Sequence, residues 1–407
     1  MTLLERARQM DAADPLGPFR NRFILPEGVI YLDGNSLGAL PKATSEAMRT
    51  VVEQQWGTGL IRSWNDAGWF EMGARVGAKI APLVGAQSHE VIACDTVSIN
   101  VFKLLAAALA MRPGRKTILS EPGNFPTDIY MIEGLERQGL AERRLADREQ
   151  LLDALDEGVA VLLLTHAHYK SGALFDMEAI TRAAHDVGAL VLWDLSHSTG
   201  ALPVDLNGVK VDFATGCGYK YLCGGPGAPA FAFVAERHLG ELRQPLTGWF
   251  GHAQPFEFSD DFEAAPGIEQ LQCGTSPILG LTALEVGVDL IAEIGVERLH
   301  AKSQALSEFL LECLADQQVA LPLVSPPLSG ARGSQLSFAH PHAYEICQAL
   351  IARGVIGDFR APDILRLGFA PAYLRFEDMA EAASHLAQVL SSEVWREPRF
   401  AQRAAVT

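Results

Sequence analysis

The sequence predicts an α/β protein with a large domain on a mainly parallel sheet and a smaller α/β domain towards the carboxyl end. Three observations predict it. Short apolar runs alternate with helical patterns through the middle of the chain. The runs are continuously apolar rather than alternating, as strands are when helices cover both faces of a sheet. At 407 residues the chain is too long for one small core.

In chain order, the strand candidates of the large domain are Lys116 to Leu119, Val159 to Thr165, Ala189 to Asp194, Val211 to Ala214 and Ala230 to Val234. Helical patterns cover Phe102 to Met111 and Met177 to Val187, the latter stopped by Gly188. A long helical region spans Leu279 to Asp316 with a break near Ile294–Gly295. Beyond it, Gln335 to Phe338 and Ile364 to Phe369 read as strands, and Ala343 to Arg353 and Glu377 to Leu390 as helices. The expected division is an N-terminal segment (1–50) packing with the small domain, a large domain (51–290) and a small C-terminal domain (291–407).

Composition excludes several function classes. With 33 Lys+Arg against 49 Asp+Glu the formal charge is −16, a balance that repels nucleic acid and anionic lipid. Hydrophobic content of 48% with 20% charged residues is that of a globular protein. No apolar run approaches the roughly 18 residues of a membrane span. The first ten residues carry Glu5, Arg6 and Arg8 and lack a signal-peptide core. Six cysteines show no CxxC pair, so reduced thiols in the cytoplasm are expected. His166 and His168 have metal-ligand spacing, but no third ligand accompanies them.

The strongest chemical signal is Leu190-Val191-Leu192-Trp193-Asp194-Leu195-Ser196-His197, an apolar strand ending in a carboxylate with a histidine three residues on. Ligands of open α/β sheets gather at the carboxyl ends of strands, so Asp194 and His197 are expected in a crevice. Gly218-Tyr219-Lys220-Tyr221 follows, with a glycine-rich turn behind it. A lysine among aromatic residues can be desolvated, leaving an amine able to attack an aldehyde. Asp95 to Val101 supplies hydroxyls ahead of a helix, a phosphate-binding arrangement, and Asn124-Phe125-Pro126-Thr127-Asp128 forms a second polar turn. Each signal alone reads as a cap, a turn or a surface lysine; their joint order carries the argument.

That order resembles the fold-type I enzymes that use pyridoxal 5′-phosphate (PLP), and more narrowly the kynureninase family. The resemblance rests on Tyr31-Leu32-Asp33-Gly34-Asn35-Ser36-Leu37-Gly38, Leu60-Ile61-Arg62-Ser63-Trp64-Asn65, the Asn124–Asp128 turn and the Asp194 and Lys220 stretches. Gly248-Trp249-Phe250-Gly251-His252 and Arg353-Gly354-Val355-Ile356-Gly357-Asp358 complete it. It implies PLP as a Schiff base on Lys220, which also shuttles the substrate Cα proton. It implies Asp194 at the pyridine nitrogen and Phe125 stacked on the ring. Val97, Ser98 and Tyr219 would bind the phosphate, with Trp249 and Thr275 reaching it from a neighbouring subunit of a homodimer. Pro126, Thr127, Asp128, Thr165 and His197 would line the pocket. Arg366 would clamp the substrate carboxylate, with Asn35, Ser36 and Trp64 at the substrate and Tyr219 as acid–base near its ketone. The implied reaction is hydrolysis of L-kynurenine or 3-hydroxy-L-kynurenine to the corresponding anthranilate and L-alanine.

Rival readings predict other residues. A cysteine desulfurase needs a nucleophilic thiol on a loop, whereas Cys313 and Cys347 fall in helical patterns. A nicotinamide-dependent oxidoreductase needs a GxGxxG turn after its first strand, which is missing. A non-catalytic relative should have lost Lys220 or Asp194, and both are present.

Overall fold

The computed structural model of the chain describes residues 2–403. Its centre is a seven-stranded sheet: β1 (Val91–Ala93), β2 (Thr117–Ser120), β3 (Glu142–Leu145), β4 (Val159–Thr165), β5 (Leu190–Asp194), β6 (Phe213–Cys217) and β7 (Ala230–Val234). The spatial order is β1-β7-β6-β5-β4-β2-β3, with β7 alone running antiparallel to its neighbours. Every residue of β4 and β5 is buried, which is why their sequences are apolar without alternation.

Helices include α1 (Leu3–Ala13), α2 (Val97–Ala110), α3 (Pro126–Arg137), α4 (Ile278–Ile294), α5 (Val296–Asp316) and α6 (Phe376–Ser391). The expected break in the long helical region falls between α4 and α5, at Gly295, whose φ of 90° is open to glycine but strained for other residues. Thr2 and Glu5 form a reciprocal capping box that starts α1. Thr96 caps α2 by accepting from the Ile99 N–H.

A second sheet, β8 (Gln335–Ala339), β9 (Asp358–Arg360) and β10 (Ile364–Gly368), is antiparallel in the order β8-β10-β9. The amino end of the chain joins this part of the molecule. Ile30–Tyr31 pairs in parallel with Val355–Ile356, Asp33 bridges to Gly368, and α1 packs on α6.

Two departures from expectation have plain causes. The strand expected at Val211 to Ala214 begins at Phe213, where the Val191 N–H is taken by the Asp212 carboxylate, and extends to Cys217 by pairing with Ala230–Val234. Strands β1 and β3 were not expected at all: β1 has three residues, and β3 is an exposed edge strand of sequence Glu-Arg-Arg-Leu with no apolar signature.

Candidate active site

β5 and β6 are neighbours, with Asp194 opposite Thr215, so the carboxyl end of β5 and the turn after β6 share one crevice. Lys220 sits on that turn and is buried. Its Nζ lies 3.0 Å from His197 Nε2. Burial and the Lys220 charge hold the His197 pKa well below its usual value, so the ring is neutral, accepts at Nε2 and carries its proton on Nδ1. That Nδ1 is buried and has no partner among the described residues.

The turn is held from the amino end of the chain. The Gly38 N–H donates to the Tyr219 carbonyl at 2.8 Å. A Cβ on Gly38 would stand 2.3 Å from the Lys220 carbonyl oxygen and 2.8 Å from Cys223; only a glycine lets the two backbones meet there.

Opposite the lysine, the Phe125 ring centre is 5.7 Å from Nζ and packs edge-on to Tyr169 at 5.3 Å. Asn124 Oδ1 accepts from the Phe125 N–H at 2.7 Å and contacts Thr165 Oγ1, which is 3.3 Å from Asp128 Oδ2. Asp128 is fully buried and its Oδ1 has no partner among the described residues. Burial, then the Asp194 charge, raise its pKa well above the carboxylate range. Asp194 accepts from the Ser196 N–H at 2.8 Å; burial raises its pKa too, with Ser196 and Lys220 opposing. Two buried acids beside one amine call for a further cationic or hydrogen-bonding partner.

At the edge of this cluster the first turns of α2 and α3 meet: Ser98 Oγ is 2.6 Å from Thr127 Oγ1. Val97 and Pro126 are the first residues of the two helices, so unpaired backbone donors and hydroxyls converge where an anion is favoured. Tyr219 is half-buried, its ring centre 5.9 Å from Lys220 Nζ, and burial raises its phenol pKa.

Arg366, on β10, is buried and almost fully engaged. Its Nε donates to Asp358 Oδ1 at 2.8 Å, Nη2 to Ser36 Oγ at 2.8 Å and to Asp358 Oδ2, and Nη1 to the Tyr169 carbonyl at 2.5 Å. One edge of its guanidinium, Nε with Nη2, therefore meets Asp358. Asn35 is buried between Asp33, Gln335 and Arg366. Arg360, on β9, joins the same cluster through Ser36 Oγ at 3.1 Å and Asp358 Oδ2 at 2.6 Å. The sequence reading passed over it, because its place beside Arg366 follows from the sheet register and from no local pattern.

Three expected site residues lie elsewhere in the single chain. Trp64 packs on Trp69 and Phe250, at 5.7 and 5.8 Å between ring centres. Trp249 packs on Phe250 and Phe256, and Thr275 is exposed. His166 pairs with Ser198 and His168 with the Gly123 carbonyl, so the two imidazoles serve different partners.

Comparison with known proteins identifies the family. The chain is 49% identical over 416 residues to a kynureninase of Burkholderia mallei (strain SAVP1), covering all of both chains. A kynureninase of Pseudomonas fluorescens is 46% identical over 417 residues, again with full coverage of both. This chain belongs to the kynureninase family. The family model described as kynureninase C-terminal domain matches residues 299–386.

Among solved structures the fold recurs in the apo cysteine desulfurase of Thermococcus onnurineus NA1, with a TM-score of 0.77 at 18% identity over 93% of this chain and 97% of that one. A C-DES variant with glycine covalently linked to its PLP cofactor matches with a TM-score of 0.78 at 17% identity, over 90% and 98% of the two chains. The architecture is thus the fold-type I arrangement expected from the sequence. No helix among the described residues is long and apolar enough to cross a membrane.

Proposed function

We propose that this kynureninase-family chain hydrolyses the Cβ–Cγ bond of L-kynurenine to anthranilate and L-alanine, using PLP held on Lys220. The observation that carries the reading is a buried amine, Lys220, facing a neutral His197 and the Phe125 ring in one crevice with Asp194. PLP fits these residues: Asp128 Oδ1 and His197 Nδ1 are buried polar atoms lacking partners among the described residues, and a flat heteroaromatic ring with polar edges would satisfy such atoms. A cationic ring nitrogen against Asp194 would offset the burial that raises its pKa. The hydroxyl pair Ser98 and Thr127 at two helix starts suits a phosphate.

When bound, PLP supplies an electron sink that stabilises negative charge at the substrate carbons. The chain does the rest. Asp194 would hold the cofactor's ring nitrogen and so support that sink. Phe125 would hold the ring by stacking. Lys220 would hold the cofactor and move the proton at the substrate Cα. Arg366 and its neighbours hold the substrate carboxylate, and Tyr219 moves a proton near the side-chain ketone as water adds. With its phenol pKa raised by burial, Tyr219 acts from the protonated form, as an acid first.

We further propose that the working unit is a homodimer in which Trp64, Trp249 and Thr275 complete the site of a second copy. Supporting this, they sit on or beside a surface rich in exposed apolar groups. Ile61 is 77% exposed, Phe258 79%, Phe256 64% and Trp56 58%. A cavity of about 410 Å³ opens between Trp56, Trp69 and Leu279. Such a surface on an isolated chain marks an interface.

The deciding experiment is an absorbance spectrum of purified protein with PLP before and after L-kynurenine, with anthranilate fluorescence followed alongside. A visible band lost in Lys220→Ala, together with growing fluorescence, is expected. A band without anthranilate would overturn the substrate, and no band would overturn the cofactor. Sedimentation tests the dimer: mixing inactive Lys220→Ala with inactive Trp249→Ala should restore about a quarter of wild-type activity through hybrid dimers.

A further inference from the structure

Lys103 lies midway along α2, with its side chain wholly buried. A charged amine is seldom placed so deep unless its donors all have partners. Here they do. Nζ donates to Asp95 Oδ2 at 2.6 Å, to the Leu271 carbonyl at 2.6 Å and more weakly to Cys94 Sγ at 3.7 Å. Burial would lower the Lys103 pKa, but Cys94 and Asp95 outweigh it and leave it above its usual value, so the amine is charged.

One end of this bridge is the entry to α2. Asp95 comes immediately before Thr96, the cap whose hydroxyl accepts from the Ile99 N–H. Its φ of 50° is left-handed, a region an aspartate enters at a cost that firm side-chain bonds offset. The backbone of the turn is pinned from its other side. The Cys94 N–H donates to the Ala230 carbonyl at 2.9 Å, and the Ala230 N–H to the Asp95 carbonyl at 3.0 Å. Asn100 Nδ2 donates to the Cys94 carbonyl at 3.0 Å.

The other end is a fixed base. Leu271 closes the short buried turn Ile268–Leu271, and the backbone just beyond it is tightly packed. A Cβ on Gly248 would stand 1.5 Å from the Cys273 carbonyl oxygen, and one on Gly251 2.7 Å from that of Gln272. Chain held so closely has little room to shift. With its donors committed and its side chain out of reach, the amine cannot itself meet a ligand. Whatever it does for the crevice passes through Asp95.

We propose that Lys103 is a positioning residue for the cofactor phosphate: by tying Asp95 to the Leu271 carbonyl, it fixes the turn from which Thr96, Val97 and Ser98 present their donors. The inference rests on the reading that PLP binds here with its phosphate at the start of α2. Removing the amine leaves a left-handed aspartate free to relax, and the first N–H groups of α2 lose their aim. Lys220, on a separate turn, keeps its place.

The test compares PLP with pyridoxal, which has the same ring and aldehyde but no phosphate. Cofactor-free protein is titrated with each, and the visible absorbance of the bound form is followed. Lys103→Met, unbranched and of similar length, should weaken PLP about 10- to 100-fold and pyridoxal less than about threefold. Asp95→Asn, which keeps an oxygen for Nζ, should retain most of the preference for the phosphate. Asp212→Ala, a change at the amino end of β5 far from this turn, controls for mere loosening and should leave the preference intact. If circular dichroism shows Lys103→Met unfolded, Asp95→Ala opens the same bridge at its 26%-exposed end and should lose the preference likewise. Equal weakening of PLP and pyridoxal, or a preference fully retained in the folded variant, would overturn the proposal. Neither titration needs turnover, so an enzyme that bound PLP but released no anthranilate would sink the reaction while this comparison still decided Lys103. A wild type that took up no PLP would sink the cofactor and the proposal together.

Discussion

Asp194 closes β5 at its carboxyl end, and Asp212 binds the N–H of Val191 near the start of the same strand. Both carboxylates are buried, yet they are opposites. Asp212 receives four donors: Val191 N–H at 2.8 Å, His185 and His238 Nε2 at 2.8 Å each, and Arg237 Nη2 at 2.7 Å. Burial would raise its pKa, but the hydrogen bonds from His185 and His238 override it and leave the group far below the carboxylate range. Asp194 has Ser196 as its hydrogen-bond partner, and burial leaves its pKa raised. One acid is saturated and ties three segments together; the other keeps binding capacity in reserve for a ligand.

The largest expected effect follows from that reserve. Asp194→Ala should lower kcat/KM by about 1,000-fold with little change in urea midpoint, since it removes an under-satisfied buried carboxylate. Asp212→Ala should do the reverse. It should cost about 3 kcal/mol of stability, read by urea unfolding, while kcat/KM of the folded fraction stays within about twofold. An Asp212→Ala enzyme that lost activity at unchanged stability would erase the distinction.

pH sharpens the comparison because the two acids act with opposite sign. The folded pKa of Asp212 lies below its unfolded value of about 4, so its contribution is present above that pH and lost as pH falls. Asp194, with its folded pKa raised, contributes a penalty that grows as pH rises through about 4. In cofactor-free protein, Asp212→Asn should therefore flatten the loss of stability on acidification, and Asp194→Asn should flatten the loss on the neutral side. Urea midpoints across that range check both. Adding PLP should cancel the Asp194 effect and leave that of Asp212. The smallest effect belongs to Arg237, whose side chain is 43% exposed: Arg237→Ala should cost about 1 kcal/mol, because His238 still donates to the same oxygen.

The two aspartates also differ in how far a sequence reveals them. Asp194 ends a five-residue apolar strand three residues before His197, a pattern contained in one short window, and Lys220 lies in a recognisable aromatic and glycine setting. Strands such as Val159–Thr165 and Ala230–Val234 were legible to the residue, because burial on both faces leaves an uninterrupted apolar run. Asp212 carries no such mark: its histidines are 27 and 26 residues away on separate helices. The Arg366 cluster was half visible. Arg366 could be read from its strand, but its engagement by Asp358, Ser36 and the Tyr169 carbonyl, up to 330 residues distant, depends on the tertiary fold. Arg360 was missed for the same reason. Nothing local separates an arginine facing solvent from one facing a crevice until the sheet register is known.

The pairing of Ile30–Tyr31 with Val355–Ile356 has a consequence for biosynthesis. A chain made from its amino end must keep this early strand waiting while more than three hundred further residues emerge. The segment that presses Gly38 onto the lysine turn, and brings Ser36 to the arginines, therefore gains its pairing strand only after Ile356 has been made. A ribosome-bound chain stalled short of Val355 would lack the strand on which Ile30–Tyr31 pairs, and the segment bracing the Lys220 turn would lack that anchor.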